Sequence, residues 1–324
     1  MDKVRRSLLI GGASSLALPI LAAPFSSLNA APLKYNLKAQ RIANNSYVVI
    51  GKTEDYSPEN GGDIVNVAFI DTSDGVVLID TGSSRRYGEA LKELIYKTTG
   101  KDVIRVYNTH FHPDHCLGNQ LFDKKKIAAL PQTIKGLKES GEDFSSNLYR
   151  ILGDWMRGTE VIIPERAINY SSEKFGKHRF EMLPFKGHTD ADLAILDHET
   201  GVLYAGDICF LDRAATTPHA DLEKWHKSLK EIKKIPHKII IPGHGPADTT
   251  SRSIDQTDTY LTWLEENLTK SVKSGKDMIE AAQMPIPEKF QSIDVIKLEI
   301  ERSVAHLYPK FEEKSLPFLG QGEN

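Results

Sequence analysis

The chain has 324 residues, 40% of them hydrophobic and 26% charged, with a formal net charge of −3. Those proportions suit a globular protein of one large domain or two small ones and exclude a disordered or fibrous chain. The acidic balance also argues against nucleic acid or another polyanion as partner.

From the N-terminus, Lys3, Arg5 and Arg6 form a positive segment, and Leu8 to Ala23 is apolar but interrupted by Gly11, Gly12, Ser14 and Ser15. Small residues then lead to a cleavage point after Ala30. This is the pattern of a cleavable export signal over residues 1–30. The Arg5-Arg6 pair resembles a twin-arginine signal, the route for proteins exported already folded. The expected location is therefore the periplasm. The apolar stretch is short for a membrane span of about 20 residues, and no later segment is long and apolar enough to make one. Residues 1–30 carry a net +2, so removing them from a total of −3 leaves a mature chain of −5.

Beyond the signal, Val65 to Asp71 and Gly75 to Asp80 are two hydrophobic strands around a Ser73-Asp74-Gly75 turn, a hairpin. Arg86 to Thr98 reads as a helix. Val103 to Asn108 alternates as a strand and ends at Thr109-His110-Phe111-His112-Pro113-Asp114-His115. Gln132 to Trp155 is polar with apolar residues near helical spacing, and is predicted as helices inserted between core strands. Gly187-His188-Thr189-Asp190 follows an alternating run ending at Phe185. Ala191 to Asp207 is hairpin-like, turning at Glu199-Thr200-Gly201 and closing at Ala205-Gly206-Asp207. Asp221 to Ile235 is an amphipathic helix with Leu222, Trp225, Leu229 and Ile232 on one face. Lys238 to Ile241 is a short buried strand before Pro242-Gly243-His244-Gly245. The remainder is helical, about Ser251 to Ser274, Lys276 to Gln283 and Ile293 to Tyr308, with Pro285 and Pro287 separating the last two and a frayed tail from Lys314.

The run from His110 to His115 packs three imidazoles and a carboxylate into six positions. Imidazole nitrogen and carboxylate oxygen are the donors a borderline divalent ion such as zinc prefers. His188, Asp207 and His244, like Asp80 upstream, each sit where a strand is predicted to give way to a turn. A rigid strand end holds a ligand in place and leaves it open to substrate. Ligands spread from His110 to His244 must converge, so that stretch cannot be divided between independent domains. No Gly-x-Ser-x-Gly nucleophile elbow is present. Cys116 and Cys209 flank the predicted ligand loops and read as two small buried thiols.

Asp80, the His-x-His-x-Asp-His block, His188, Asp207 and His244 together resemble the metallo-β-lactamase superfamily in order and spacing, over about Asn45 to Gly245. The resemblance implies an α/β fold, a four-layer αββα sandwich with C-terminal helices from about 251, as a single domain over 31–324. It implies two divalent metal ions, zinc favoured and iron the alternative. His110, His112 and His188 would bind the first ion, Asp114, His115 and His244 the second, and Asp207 would bridge them, with Asp80 behind orienting a ligand. Asp114 and Asp207 are the expected catalytic carboxylates. Aspartate at 207, where the commonest true lactamases carry a cysteine ligand, points to the glyoxalase-II-like branch.

Asp80 to Gly88, Phe210 to Ala214 and Ser57 to Gly62 also resemble loops of the quinoprotein relay system zinc metallohydrolases. That narrower resemblance implies a functional link to a quinoprotein dehydrogenase. The expected activity is hydrolysis of a small ester, thioester or lactone by a metal-bridging hydroxide. The alternatives are a single-iron sulfur dioxygenase, a β-lactamase, or a non-catalytic metal-binding accessory protein. Arg213, with His219 in the loop past Asp207, and Tyr56, in the polar loop Lys52 to Asp63, are the candidate substrate contacts; an arginine there would clamp an anionic group.

Overall fold

The computed structural model describes residues 33–315, and the expected export signal lies outside them. The first seven strands form one sheet in sequence order: β1 (Gln40–Ala43), β2 (Ser46–Val49), β3 (Val67–Thr72), β4 (Gly75–Ile79), β5 (Val103–Tyr107), β6 (Ile127–Ala129) and β7 (Arg166–Ala167). β1 to β4 pair antiparallel, and β4 to β7 pair parallel. The change of direction requires a crossover between β4 and β5. That crossover is α1 (Arg85–Thr99), which starts where the Ser84 side chain accepts from the Tyr87 N–H and stops where Gly100 enters the left-handed region at φ 69°.

The second sheet has the order β12-β11-β10-β9-β8, made of β8 (Ser171–Phe175), β9 (His178–Phe185), β10 (Asp192–Asp197), β11 (Val202–Phe210) and β12 (Ile239–His244). Only β11 and β12 run parallel, joined through α4 (Leu222–Ile232). Before the second sheet come α2 (Pro113–Cys116) and α3 (Pro131–Leu152). After it come α5 (Arg252–Lys273), α6 (Met278–Ala282), α7 (Glu288–Gln291) and α8 (Ile296–Ser315).

The two sheets pack face to face through Val48, Ile70, Val77 and Tyr107 on one side and Phe180, Met182, Ile195 and Tyr204 on the other. Outside the first sheet, Phe69, Leu78 and Val106 lie under Tyr87, Leu91 and Ile95 of α1 and Leu148 of α3. Outside the second, Ala194 and Leu203 lie under Trp225 of α4, Leu261 and Leu264 of α5 and Val304 of α8. These are the four αββα layers the sequence suggests. A strand such as β3 is buried on both faces, Val67 and Phe69 toward the helices and Ala68 and Ile70 toward the other sheet. That explains its continuous apolar run. No helix among the described residues is long and apolar enough to cross a membrane.

Three local expectations are corrected. Gln132 to Trp155 is a single long helix, α3, followed by a 3-10 turn at Gly153–Met156, rather than several helices. β11 runs three residues beyond Asp207, to Phe210, so Asp207 lies inside a strand and not at its end. The last helix continues through Pro309 to Ser315, further than its apolar spacing suggests.

Candidate metal centre

All the candidate ligands leave the same edge of the sandwich. His110 and His112 follow β5 directly, and Pro113 opens the short α2 that carries Asp114 and His115. His188 follows β9, Asp207 projects from β11, and His244 is the last residue of β12. β11 delivers Asp207 through an irregularity. Its register against β12 shifts on both sides of Gly206, which has a φ of 53°. A bulge of this kind turns a side chain that regular pleating would aim elsewhere. Asn66 ties β12 to the first sheet, with its amide donating to the Pro242 and Gly245 carbonyls at 2.8 and 2.6 Å.

The donor atoms converge into two groups, one of His110, His112, His188 and Asp207 and one of Asp114, His115 and His244, all buried. Asp207 sits between them. Its Oδ1 is 3.2 Å from His115 Nε2, and its Oδ2 is 3.2 Å from His188 Nε2, 3.5 Å from His244 Nε2 and 3.8 Å from His110 Nε2. Asp114 Oδ2 is 3.3 Å from His244 Nε2 and 3.7 Å from His115 Nε2. Bonds of about 2.0–2.1 Å to a tetrahedral ion place neighbouring donors about 3.3–3.5 Å apart, so these separations bracket what divalent ions need and small adjustments of the side chains complete the fit. His110 Nε2, His115 Nε2 and Asp207 Oδ1 are buried and have no hydrogen-bond partner in the protein. Buried polar atoms are costly to leave unpaired, and a metal ion satisfies all three.

Contacts behind the ligands hold them in this orientation. Asp80, at φ 62°, accepts from the Thr109 N–H at 2.8 Å through Oδ1, and through Oδ2 from His115 Nδ1 at 2.8 Å. The Thr109 hydroxyl donates to Asp80 Oδ2 at 2.9 Å and accepts from His110 Nδ1 at 3.1 Å. His244 Nδ1 donates to the Ile64 carbonyl at 2.7 Å. Each of these bonds leaves an Nε2 lone pair facing the cluster, as a metal ligand needs.

The electrostatics divide the imidazoles: despite burial, the carboxylates push His115 and His244 up, Asp207 foremost, so these two hold positive charge where a cation would supply it. Burial, then the neighbouring His115, keeps His110 well below the ordinary imidazole range, and burial with His188 does the same for His112. Both are therefore neutral, the ligand form. Burial alone would raise Asp207 and Asp114, but the surrounding imidazoles outweigh it and keep both carboxylates ionised.

The glycine at 243 is required by this packing. A Cβ there would stand 1.8 Å from Asp207 Oδ1 and 2.9 Å from the Gly206 carbonyl carbon. Gly243→Ala is expected to displace the Asp207 carboxylate and to lower stability by about 1–3 kcal/mol through overpacking. Metal analysis and thermal unfolding of this variant check it; full metal content with unchanged stability would mean the loop accommodates the methyl group.

The cleft above the cluster has a volume of about 440 Å³, with walls that include Tyr56, Phe144, Ile151, Pro218 and His219. Tyr56 is half-buried, and burial together with the charge of Asp114 pushes its phenol well above the ordinary value. Arg213 reaches the cleft wall but is not the free clamp the sequence suggests. It is 2% exposed and pairs with Glu299 of α8 at 3.5 Å, while donating to the Ala214 carbonyl and the Thr216 hydroxyl at 3.2 Å each. Its charge is already committed inside the protein. Arg85 and Arg86, which follow the Asp80-Thr81-Gly82 turn, bond to Glu89 and to the Asp154 carbonyl.

Sequence reasoning missed Arg302 and His306, which α8 brings to the cleft. On an amphipathic helix they read as a solvated face. Both cysteines are free and buried. Cys209 packs in the apolar layer between β11 and the helices, and the ligand groups do not include it.

The metallo-beta-lactamase superfamily model matches residues 60–244. The chain is 25% identical over 228 residues to a beta-lactamase-like protein 2 homolog of Caenorhabditis elegans, covering 68% of each chain. It is 26% identical over 167 residues to a hydroxyacylglutathione hydrolase of Erythrobacter litoralis, covering 50% of this chain and 55% of that one. A metallo-beta-lactamase from Pontibacter korlensis superposes with a TM-score of 0.55 at 20% identity, over 70% of this chain and 99% of that one, which shows a shared fold. With the matched region spanning every candidate ligand, the chain belongs to the metallo-beta-lactamase superfamily and carries the His/Asp metal-binding cluster of a metal-dependent hydrolase.

Proposed function

We propose that this chain is an exported binuclear zinc hydrolase acting on a small ester, thioester or lactone. The observation that carries the reading is Asp207, whose two oxygens face imidazoles of both donor groups. His110, His112 and His188 would hold one ion, Asp114, His115 and His244 the other, with Asp207 shared. Bound there, two divalent ions supply a nucleophilic water at neutral pH and polarise the substrate oxygen.

The rest is the work of the protein's own groups. Asp80, Thr109 and the Ile64 carbonyl fix the imidazoles before substrate arrives. Ionised Asp114, on the cleft wall, orients the attacking water by accepting its hydrogen bond. Tyr56 lies beside it with a protonated hydroxyl, placed to donate to a substrate oxygen. A cleft of this volume suits a small molecule rather than a polymer. Aspartate rather than cysteine at 207 favours the glyoxalase-II-like reading over a lactamase. The setting beside a quinoprotein dehydrogenase rests on the loops Ser57 to Gly62, Asp80 to Gly88 and Phe210 to Ala214.

Screening zinc-loaded protein against thioesters, lactones, esters, phosphoesters and β-lactams tests the assignment. Turnover of an acyl substrate, abolished by a chelator and restored by zinc, is expected. Turnover confined to β-lactams, or indifferent to the chelator, would overturn it.

A further inference from the structure

A metal-binding imidazole works through one nitrogen, and the other needs a partner to fix the tautomer and the ring. For His110, His115 and His244 that partner is buried: the Thr109 hydroxyl, the Asp80 carboxylate and the Ile64 carbonyl. His112 is arranged differently. It turns Nδ1 toward the cluster, 2.9 Å from His188 Nε2, and points Nε2 outward. There Nε2 meets Nδ1 of His219 at 2.8 Å, a residue 107 positions further along the chain. His219 stands in the loop between β11 and α4, at the rim of the cleft. Its side chain is exposed, and Phe111 and Phe144 pack against the ring at centroid distances of 5.1 and 6.0 Å.

We propose that His219 is a positioning residue for the metal centre: its Nδ1 accepts the Nε2–H of His112 and so presents His112 Nδ1 to the ion. This rests on the metal-binding reading above. The assignment of protons follows from the geometry. A nitrogen that binds a metal carries no proton, so the proton of neutral His112 is on Nε2, and the atom 2.8 Å away must accept it. His219 Nδ1 is therefore unprotonated and the His219 proton is on its own Nε2. The two phenylalanines limit the movement of this exposed ring, and the 2.8 Å contact with His112 selects the orientation in which Nδ1 faces inward. The contact also couples the loop after β11 to the metal ligands. That loop bears Arg213 and Thr216, so the cleft wall and the centre are held to each other at this point.

Two substitutions separate the acceptor from the ring. His219→Phe keeps an aromatic body between Phe111 and Phe144 and removes the acceptor. His219→Asn discards the ring and keeps an oxygen near the position of Nδ1. Zinc affinity is measured on purified full-length protein by competition with a chromophoric chelator, with no substrate present. The His219→Phe protein is expected to bind one of its zinc equivalents about 10–100-fold more weakly than wild type, and the His219→Asn protein to return close to the wild-type value. Unchanged affinity in His219→Phe, or an equal loss in both variants, overturns the proposal, the second because ring packing would then be the cause. Wild-type protein that took up no zinc would overturn the metal reading itself, and this contact with it.

Discussion

Asp207→Ala is expected to abolish turnover while leaving the chain folded. The carboxylate is 3% exposed and lies 3.2–3.8 Å from four imidazoles that reach it from four different elements. Its two oxygens face imidazoles of both donor groups, so its loss weakens both at once. Charge stabilisation by metal ions contributes several kcal/mol to such a reaction, so kcat should fall by on the order of 10³-fold or more. The helices and sheet cores are untouched, and far-ultraviolet circular dichroism should be unchanged. Asp207→Asn keeps the shape and removes the charge, and should lose most of the metal as well. Unchanged kcat with both metals retained in Asp207→Ala would show that Asp207 is not a ligand.

Glu299→Ala should produce a large loss of stability, centred on the wall of the cleft. Glu299 is fully buried and accepts from Arg213 at 3.5 Å, from the Thr216 hydroxyl at 3.0 Å and from Arg302 at 2.6 Å. Removing it leaves the buried Arg213 guanidinium without a counter-charge. Breaking a buried pair from one side costs about 3–5 kcal/mol, because the remaining charge stays desolvated. Arg302 is partly exposed and also pairs with Asp55 at 3.1 Å, so it adds little to that loss. Denaturant unfolding should show a lower midpoint, and added salt should restore little, since the site is screened poorly from inside the protein. A loss below about 1 kcal/mol would mean that the carbonyl and hydroxyl contacts of Arg213 are enough to hold it.

These two residues also mark how far the sequence could be read. The ligand cluster was legible because its chemistry is local: imidazoles and carboxylates are crowded into His110 to His115, and the remaining ligands follow apolar runs. The central hairpins were legible because β3, β4, β10 and β11 are buried on both faces and read as apolar runs. β7 and β8 were not, because their exposed residues carry little apolar signal. Asp207 was identified but misplaced relative to its strand, because the bulge at Gly206 shows only as a register shift against β12. Arg213 was assigned to substrate because its partner, Glu299, is 86 residues away and invisible to spacing. His219 was noticed for its loop, but its contact with His112 depends on the fold bringing β5 and β11 to one edge.

Elemental analysis of the purified mature protein tests the central claim most directly. Seven convergent donors are more than one tetrahedral ion can use, and they divide into two groups around Asp207. Two zinc ions per chain is the expected result. One iron per chain with no zinc would contradict it and move the assignment to a sulfur dioxygenase, and a chain that binds no metal would remove the catalytic reading altogether.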